Sequence, residues 1–260
     1  MPLPPSPPLP ASLGVRPVAH RALHDIAAGR PENSRAALRA AMAAGYPAEI
    51  DVQVSADGHA MVFHDDRLER LTATAGPVRA RTAAELGAIG LRGGNEGIPT
   101  LAEVLALVAG RVALLIEIKD QDGALGPGVG ALEHSVATAL AGYRGEVAVM
   151  SFNSHSVAAF AAAAPGVARG VTTASFTADA WPAVPAATRA RLREMSHAEA
   201  LGVAFVSHEA ADLARPAVQA LRARGTTLLC WTIRSPKAEA EARALADNIT
   251  FEGYRPALPA

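Results

Sequence analysis

From Arg16 to Phe251 the chain repeats one pattern: a short β-type run, then an Ala-rich helical run. The strand candidates are RPVAH, AEIDVQV, RVALLIEIK, EVAVMSF, GVARGVT, GVAFVS, TTLLCWTI and DNITF, eight in all. Strands that alternate with helices pair in parallel, because each crossover returns the chain to the same sheet edge. Eight such steps in 260 residues predict a closed (β/α)8 TIM barrel of class α/β, with an open doubly wound sheet as the runner-up. The helices carry their own punctuation. SRAALRAAMAAG has Asn33 or Ser34 as cap and Gly45 as stop, and Thr100 with Glu103 opens LAEVLALVAG as a capping box. Asp57-Gly58 predicts a tight hairpin after the second strand, returning through HAMVFH. Residues 66–98 read as a less regular insertion or long loop.

No linker interrupts residues 15–256, so a single domain is expected there. Residues 1–14, MPLPPSPPLPASLG, lack a charged and an apolar segment in signal-peptide order and read as a Pro-rich disordered arm. A formal net charge of -1 gives no global field toward nucleic acid or an anionic membrane. No apolar run approaches the roughly 20 residues needed to span a bilayer, so no stable membrane anchor is expected. The single cysteine, Cys230, excludes an internal disulfide framework and fits a reducing, cytoplasmic setting.

Parallel barrel strands are buried on both faces and should read as continuous apolar runs. Three break that rule at their C-terminal ends. The first ends in His20-Arg21, the second carries Glu49 and Asp51, and the third carries Glu117 and Lys119. Side chains alternate along a strand, so Glu49 and Asp51 share a face, as do Glu117 and Lys119, while Ile50 and Ile118 face the helices. The charged face is then the barrel interior, at the mouth where such barrels keep their active sites. Adjacent buried carboxylates repel, and three of them converging are relieved by a divalent cation. An all-oxygen donor set favours Mg2+ or Ca2+ over zinc. For any one acid a structural ion pair is the ordinary explanation; three on successive strand ends beside Arg21 and Lys119 favour the ion. His20 and His64 flank this mouth and suit general acid–base work. His24, His59, His134, His155, His197 and His208 are set aside as mostly structural.

These residues also carry a resemblance. AHRALHDIAAGRPENSRAAL resembles the opening of the glycerophosphodiester phosphodiesterase family, whose pattern runs His-Arg-Gly and then Pro-Glu-Asn-Thr before a helix. AEIDVQVSADGHAMVFHDDRLERLTATAG resembles its Glu-x-Asp-Val, Thr-x-Asp-Gly, His-Asp and Leu-x-Arg-Thr elements, and IPTLAEVL, LLIEIK, MSFN and LLCWTI continue it. The resemblance implies a (β/α)8 barrel that hydrolyses small-molecule glycerophosphodiesters to sn-glycerol 3-phosphate and an alcohol. It implies Glu49, Asp51 and Glu117 as metal ligands, and His20 and His64 as the acid–base pair. Arg21 and Lys119 would bind phosphate oxygens, and Trp231 would line the pocket. Two other readings stay open: a lysophospholipase D or sphingomyelinase-like relative, which would need an exposed apolar rim, and a non-catalytic phosphate-binding barrel. The chain departs from the pattern at Ala22, where glycine is expected, at Ser34 in place of threonine, and in its ending, DNITFEGYRP, where Glu252 lies near the expected acid. The leaving alcohol is expected to extend toward loops of little charge, with broad tolerance for its chemistry.

Overall fold

The computed structural model describes residues 3–259. Eight parallel strands close on themselves: β1 (Val18–Ala19), β2 (Ala48–Val54), β4 (Leu114–Ile118), β5 (Val147–Ser151), β6 (Ala168–Thr173), β7 (Phe205–Glu209), β8 (Thr227–Ile233) and β9 (Asn248–Phe251). β1 pairs with both β2 and β9, which closes the barrel. β3 (Ala60–Val62) lies outside it, antiparallel to the end of β2. The Asp57-Gly58 turn makes this hairpin, with Gly58 at φ +83, a conformation only glycine adopts without strain.

Helices follow the strands as the punctuation demands. Of the two cap candidates, Ser34 caps α2 (Arg35–Ala44), accepting from Ala37 N, and Gly45 ends it in the left-handed region. Asn33 is freed for another task. Thr100 and Glu103 form the expected capping box on α4 (Leu101–Val108). α2 and α4 bury Leu38, Leu101 and Val104 against Ile50, Val52 and Ile116, the outward residues of β2 and β4.

Residues 66–98 are more organised than their sequence suggests. Leu68, Leu71, Val78, Leu86, Leu91 and Ile98 gather with Met61 and Phe63 into a separate apolar cluster, roofed by α3 (Ala83–Ala88). These residues have neither helical nor strand spacing, so periodicity could not reveal them.

The Pro-rich arm is a correction. Residues 1 and 2 lie outside the described residues, but the remainder is tied down rather than disordered. Ser6 N donates to Gly202 O at 2.8 Å, and Ser6 Oγ accepts from Arg169 N at 2.9 Å. α1 (Ala11–Val15) places Leu13 into the N-terminal end of the barrel among Val18, Leu115, Ala148, Phe205 and Leu229, with Leu9 beside them. Proline content marks a segment that cannot join a helix or sheet ladder. It does not prevent packing when leucines at 9 and 13 meet an open apolar barrel end.

Candidate active site

The opposite end of the barrel holds the charges. The register pairs Asp51 with Glu117 across β2 and β4. Outward Ile50, Ile116 and Ile118 belong to the helix-facing core, so Glu49, Asp51, Glu117 and Lys119 point inward. All eight residues expected from the sequence, His20, Arg21, Glu49, Asp51, His64, Glu117, Lys119 and Trp231, line one cavity, floored by Met150.

Glu49, Asp51 and Glu117 are 2%, 2% and 6% exposed. One carboxylate oxygen from each lies within 4.8 Å of the others. Lys119 Nζ stands 2.7 Å from Glu117 and 3.2 Å from Asp51. Burial, with repulsion from Asp51 and Glu117, pushes Glu49 well above the ordinary carboxylate range. Burial also works against ionised Asp51, but Lys119, His64 and Arg21 outweigh it and hold that group low. Burial would lower Lys119; Asp51 and Glu117 reverse the sign and hold it above its usual value. One ammonium therefore leaves the cluster short of positive charge, and the strain collects on Glu49. An oxygen-only set with unrelieved repulsion fits a hard divalent cation.

Three neighbours orient these acids. After β1 the chain turns through Arg21 at φ +51 and Ala22 at φ +63. The turn aims Arg21 N at Glu49 Oε2, 2.7 Å away, and Ala22 N at Glu49 O, 2.8 Å away. A side chain in this region costs about 1–2 kcal/mol, which is the reason the family pattern prefers glycine there. Asn33, at φ +58, grips Asp51 twice: Nδ2 donates to Oδ2 at 2.9 Å and Oδ1 accepts from Asp51 N at 3.1 Å. Asparagine tolerates that backbone better than most residues.

Each histidine has a carboxylate partner. His20 Nδ1 is 2.5 Å from Glu252 Oε2, and His64 Nδ1 is 2.6 Å from Asp65 Oδ1. Burial lowers the His20 pKa, outweighing the lift from Glu252. The hydrogen bond from His20 holds Glu252 far below its usual range. A network joins the two sides of the mouth. Arg21 Nη1 donates to Glu32 at 2.8 Å; Arg70 donates to Glu32 at 2.8 and 2.9 Å and to Asp65 at 2.6 Å.

Glu32, Asn33, Asp65 and Arg70 were not singled out from the sequence as site residues. The signal for Asn33 and Glu32 was their place in PEN, and for Arg70 its place in the Leu-x-Arg-Thr element; its partners, 5 and 38 residues away, were not legible. Glu252 was legible by alternation from the inward Thr250. A second cavity adjoins the first, shared through His64, Glu117, Lys119, Phe152 and Trp231. Trp181 and Val184, from the loop after β6, wall it, and Asp66 and Asp120 join the lining. The expectation of little charge in the exit loops is therefore corrected. Aromatic rings pack along it, tilted and edge to face: Phe152 lies 4.9 Å from Trp181 and 5.5 Å from Trp231, centroid to centroid.

Known proteins with this architecture share its sequence pattern. A Caldanaerobacter subterraneus glycerophosphodiester phosphodiesterase is 36% identical over 137 residues, covering 49% of this chain and 55% of its own length. The alignment thus spans about half of that relative. YhdW of Bacillus subtilis is 28% identical over 238 residues, covering 88% of this chain and 90% of its own. Among solved structures, an Oleispira antarctica phosphodiesterase in complex with the product sn-glycerol-3-phosphate superposes with a TM-score of 0.72 at 24% identity, over 96% of this chain and 93% of that one. The model of the glycerophosphoryl diester phosphodiesterase family matches residues 20–250, nearly all of the barrel from the first histidine into the last strand, and the chain belongs to that family.

Proposed function

We propose that the protein hydrolyses glycerophosphodiesters to sn-glycerol 3-phosphate and an alcohol, by metal-dependent His/His acid–base catalysis. The observation that carries this reading is the convergence of the Glu49, Asp51 and Glu117 oxygens within 4.8 Å on a cavity that His20 and His64 also line. The product bound to the Oleispira antarctica neighbour is the one inferred here.

Glu49, Asp51 and Glu117 would hold Mg2+ or Ca2+. When bound, the ion supplies positive charge to the phosphate oxygens and to the glycerol hydroxyl beside them. Arg21 and Lys119 add donors to the same oxygens, offsetting charge that grows in the transition state. Neutral His20, its Nδ1–H committed to Glu252, presents the other ring nitrogen as proton acceptor for the attacking hydroxyl. The vicinal glycerol hydroxyl attacks phosphorus and expels the alcohol. His64 lines both cavities, which favours it as the donor to the leaving oxygen. Water then opens the cyclic phosphate with the two roles exchanged.

The lysophospholipase D reading needs an apolar rim. Among the described residues the large exposed hydrophobics are Val15, Ile26 and Leu258, three single residues far apart in the chain. The water-soluble diester is therefore favoured. No helix among the described residues is long and apolar enough to cross a membrane. The deciding experiment incubates the protein with glycerophosphocholine and added Mg2+ or Ca2+ and follows phosphorus by NMR. sn-Glycerol 3-phosphate is expected, with a transient cyclic phosphate; no turnover with either ion would leave the non-catalytic barrel standing.

A further inference from the structure

Glu252 serves more than His20. His24, set aside from the sequence as structural, turns its Nε2 to within 3.6 Å of Glu252 Oε2. That nitrogen is buried and has no hydrogen-bond partner. Arg234 Nε donates to the other oxygen, Oε1, at 2.7 Å, which fixes Oε2 toward the two imidazoles. One ring nitrogen from each of His20 and His24 and one Glu252 oxygen all lie within 4.8 Å of one another. None of the three belongs to the acidic cluster. His24 also lines a separate outer cavity with Asp25, Arg30 and Tyr254.

We propose that His20, His24 and Glu252 form a second cation site, selective for Zn2+, whose occupation removes His20 as a proton acceptor. Two imidazole nitrogens and one carboxylate oxygen are a zinc donor set, whereas Mg2+ and Ca2+ take oxygens. Ligand atoms on a tetrahedral zinc stand about 3.4 Å apart. The His24–Glu252 separation of 3.6 Å already matches, and the 2.5 Å His20–Glu252 contact opens once its shared proton leaves.

The proton balance explains the consequence. Neutral His20 carries hydrogen on Nδ1, toward ionised Glu252, and a lone pair on Nε2. Coordination through Nδ1 consumes a lone pair there, so the proton moves to Nε2 and none is released. The ring then offers the cavity an N–H and nothing that accepts. The site itself stands on geometry alone; its inhibitory effect rests on the proposed role of His20.

The test uses the full chain in saturating Mg2+, which keeps the acidic cluster filled. Zn2+ is titrated against a chromophoric chelator, and Co2+ is added separately to read imidazole coordination from its visible spectrum. Wild type, His24→Gln and Glu117→Gln are compared, with melting curves to establish that each is folded. One Zn2+ per chain is expected in wild type and in Glu117→Gln. In His24→Gln its affinity should fall at least about tenfold, the lower end for disturbing a metal site. His24→Gln should keep wild-type turnover in Mg2+, with zinc inhibition shifted to at least about tenfold higher concentration. Equal zinc affinity in wild type and His24→Gln overturns the proposal, as does loss of the tight zinc in Glu117→Gln, which would assign it to the acidic cluster. Binding is read without turnover, so a protein inactive on every diester still decides whether the site exists.

Discussion

Glu252 Oε2 and His20 Nδ1 stand 2.5 Å apart, joining the last strand of the barrel to the first. The contact fixes which ring nitrogen carries hydrogen and supports the pKa that burial depresses. Replacing Glu252 by Gln removes both effects. The His20 pKa falls further, so the acid limb of kcat/KM, where His20 must lose its proton to act, moves to lower pH. Turnover on the plateau should drop roughly tenfold or more, because a weaker base with an unfixed tautomer transfers protons less well. A pH–rate profile checks both. An unmoved acid limb with intact turnover would remove His20 from the role of acceptor.

The acidic cluster gives a second expectation. Burial, with repulsion from Asp51 and Glu117, raises the Glu49 pKa, so protons compete with a cation for its carboxylate. Affinity for Mg2+ or Ca2+ should therefore rise with pH until Glu49 is fully ionised. Excess chelator should abolish turnover and either ion should restore it. Glu49→Gln should weaken ion binding while leaving the melting temperature of the ion-free protein unchanged or higher. The amide still accepts from Arg21 N, and a like-charge contact is gone. Calorimetric titration at several pH values, with thermal melting, checks each statement.

For the histidine pair, His20→Ala and His64→Ala should each cost roughly 10²–10⁴-fold in rate, the range for losing one general acid or base. The double variant should lose little beyond the slower single, since the two act as a unit. A single variant with near wild-type kcat would make that histidine structural.

The barrel, its strand order and the inward carboxylates were legible because each rests on local spacing. Alternation places Glu49 with Asp51 and Glu117 with Lys119 whatever the distant chain does. What escaped is the pairing of residues far apart in sequence. Asn33 reaches Asp51 18 residues on, Arg70 reaches Glu32 across 38, and Glu252 reaches His20 across 232. The arm escaped for a different reason. Its contacts, Ser6 with Gly202 and Leu13 with Phe205, use one side chain at a time and have no period to detect.

That arm yields a stability prediction. Deleting residues 1–10 removes the Ser6 hydrogen bonds and the Leu9 contact with the apolar barrel end. With hydrogen bonds worth about 1 kcal/mol each and a half-buried leucine about 1 kcal/mol, the loss should be about 2–3 kcal/mol. Denaturant titration measures it. The substrate cavity lies at the far end of the barrel, so turnover per folded molecule should stay within about twofold, a rate ratio worth under 1 kcal/mol.

Selectivity for the leaving alcohol is expected to turn on Trp181. Its ring stands beside Phe152 and Phe176, at 4.9 and 5.0 Å, and walls the cavity into which Asp66 and Asp120 also face. Asp120 is occupied by Asn153 Nδ2 and by backbone N–H groups of residues 123 and 125. Aromatic faces near carboxylates attract a methylated ammonium, each cation–π contact contributing about 0.5–2 kcal/mol. A cationic alcohol should therefore be preferred within the broad range that the cavity accommodates. Trp181→Ala should raise KM for glycerophosphocholine by roughly 2–30-fold, the conversion of that energy. The same change should alter KM for glycerophosphoglycerol by much less, because a neutral diol gains nothing from the ring face. kcat should hold for both, since Trp181 lies outside the cavity that contains both histidines. Steady-state kinetics on the two diesters gives the answer. Equal losses on both would mean that Trp181 only shapes the cavity, and that the alcohol is accepted without regard to charge.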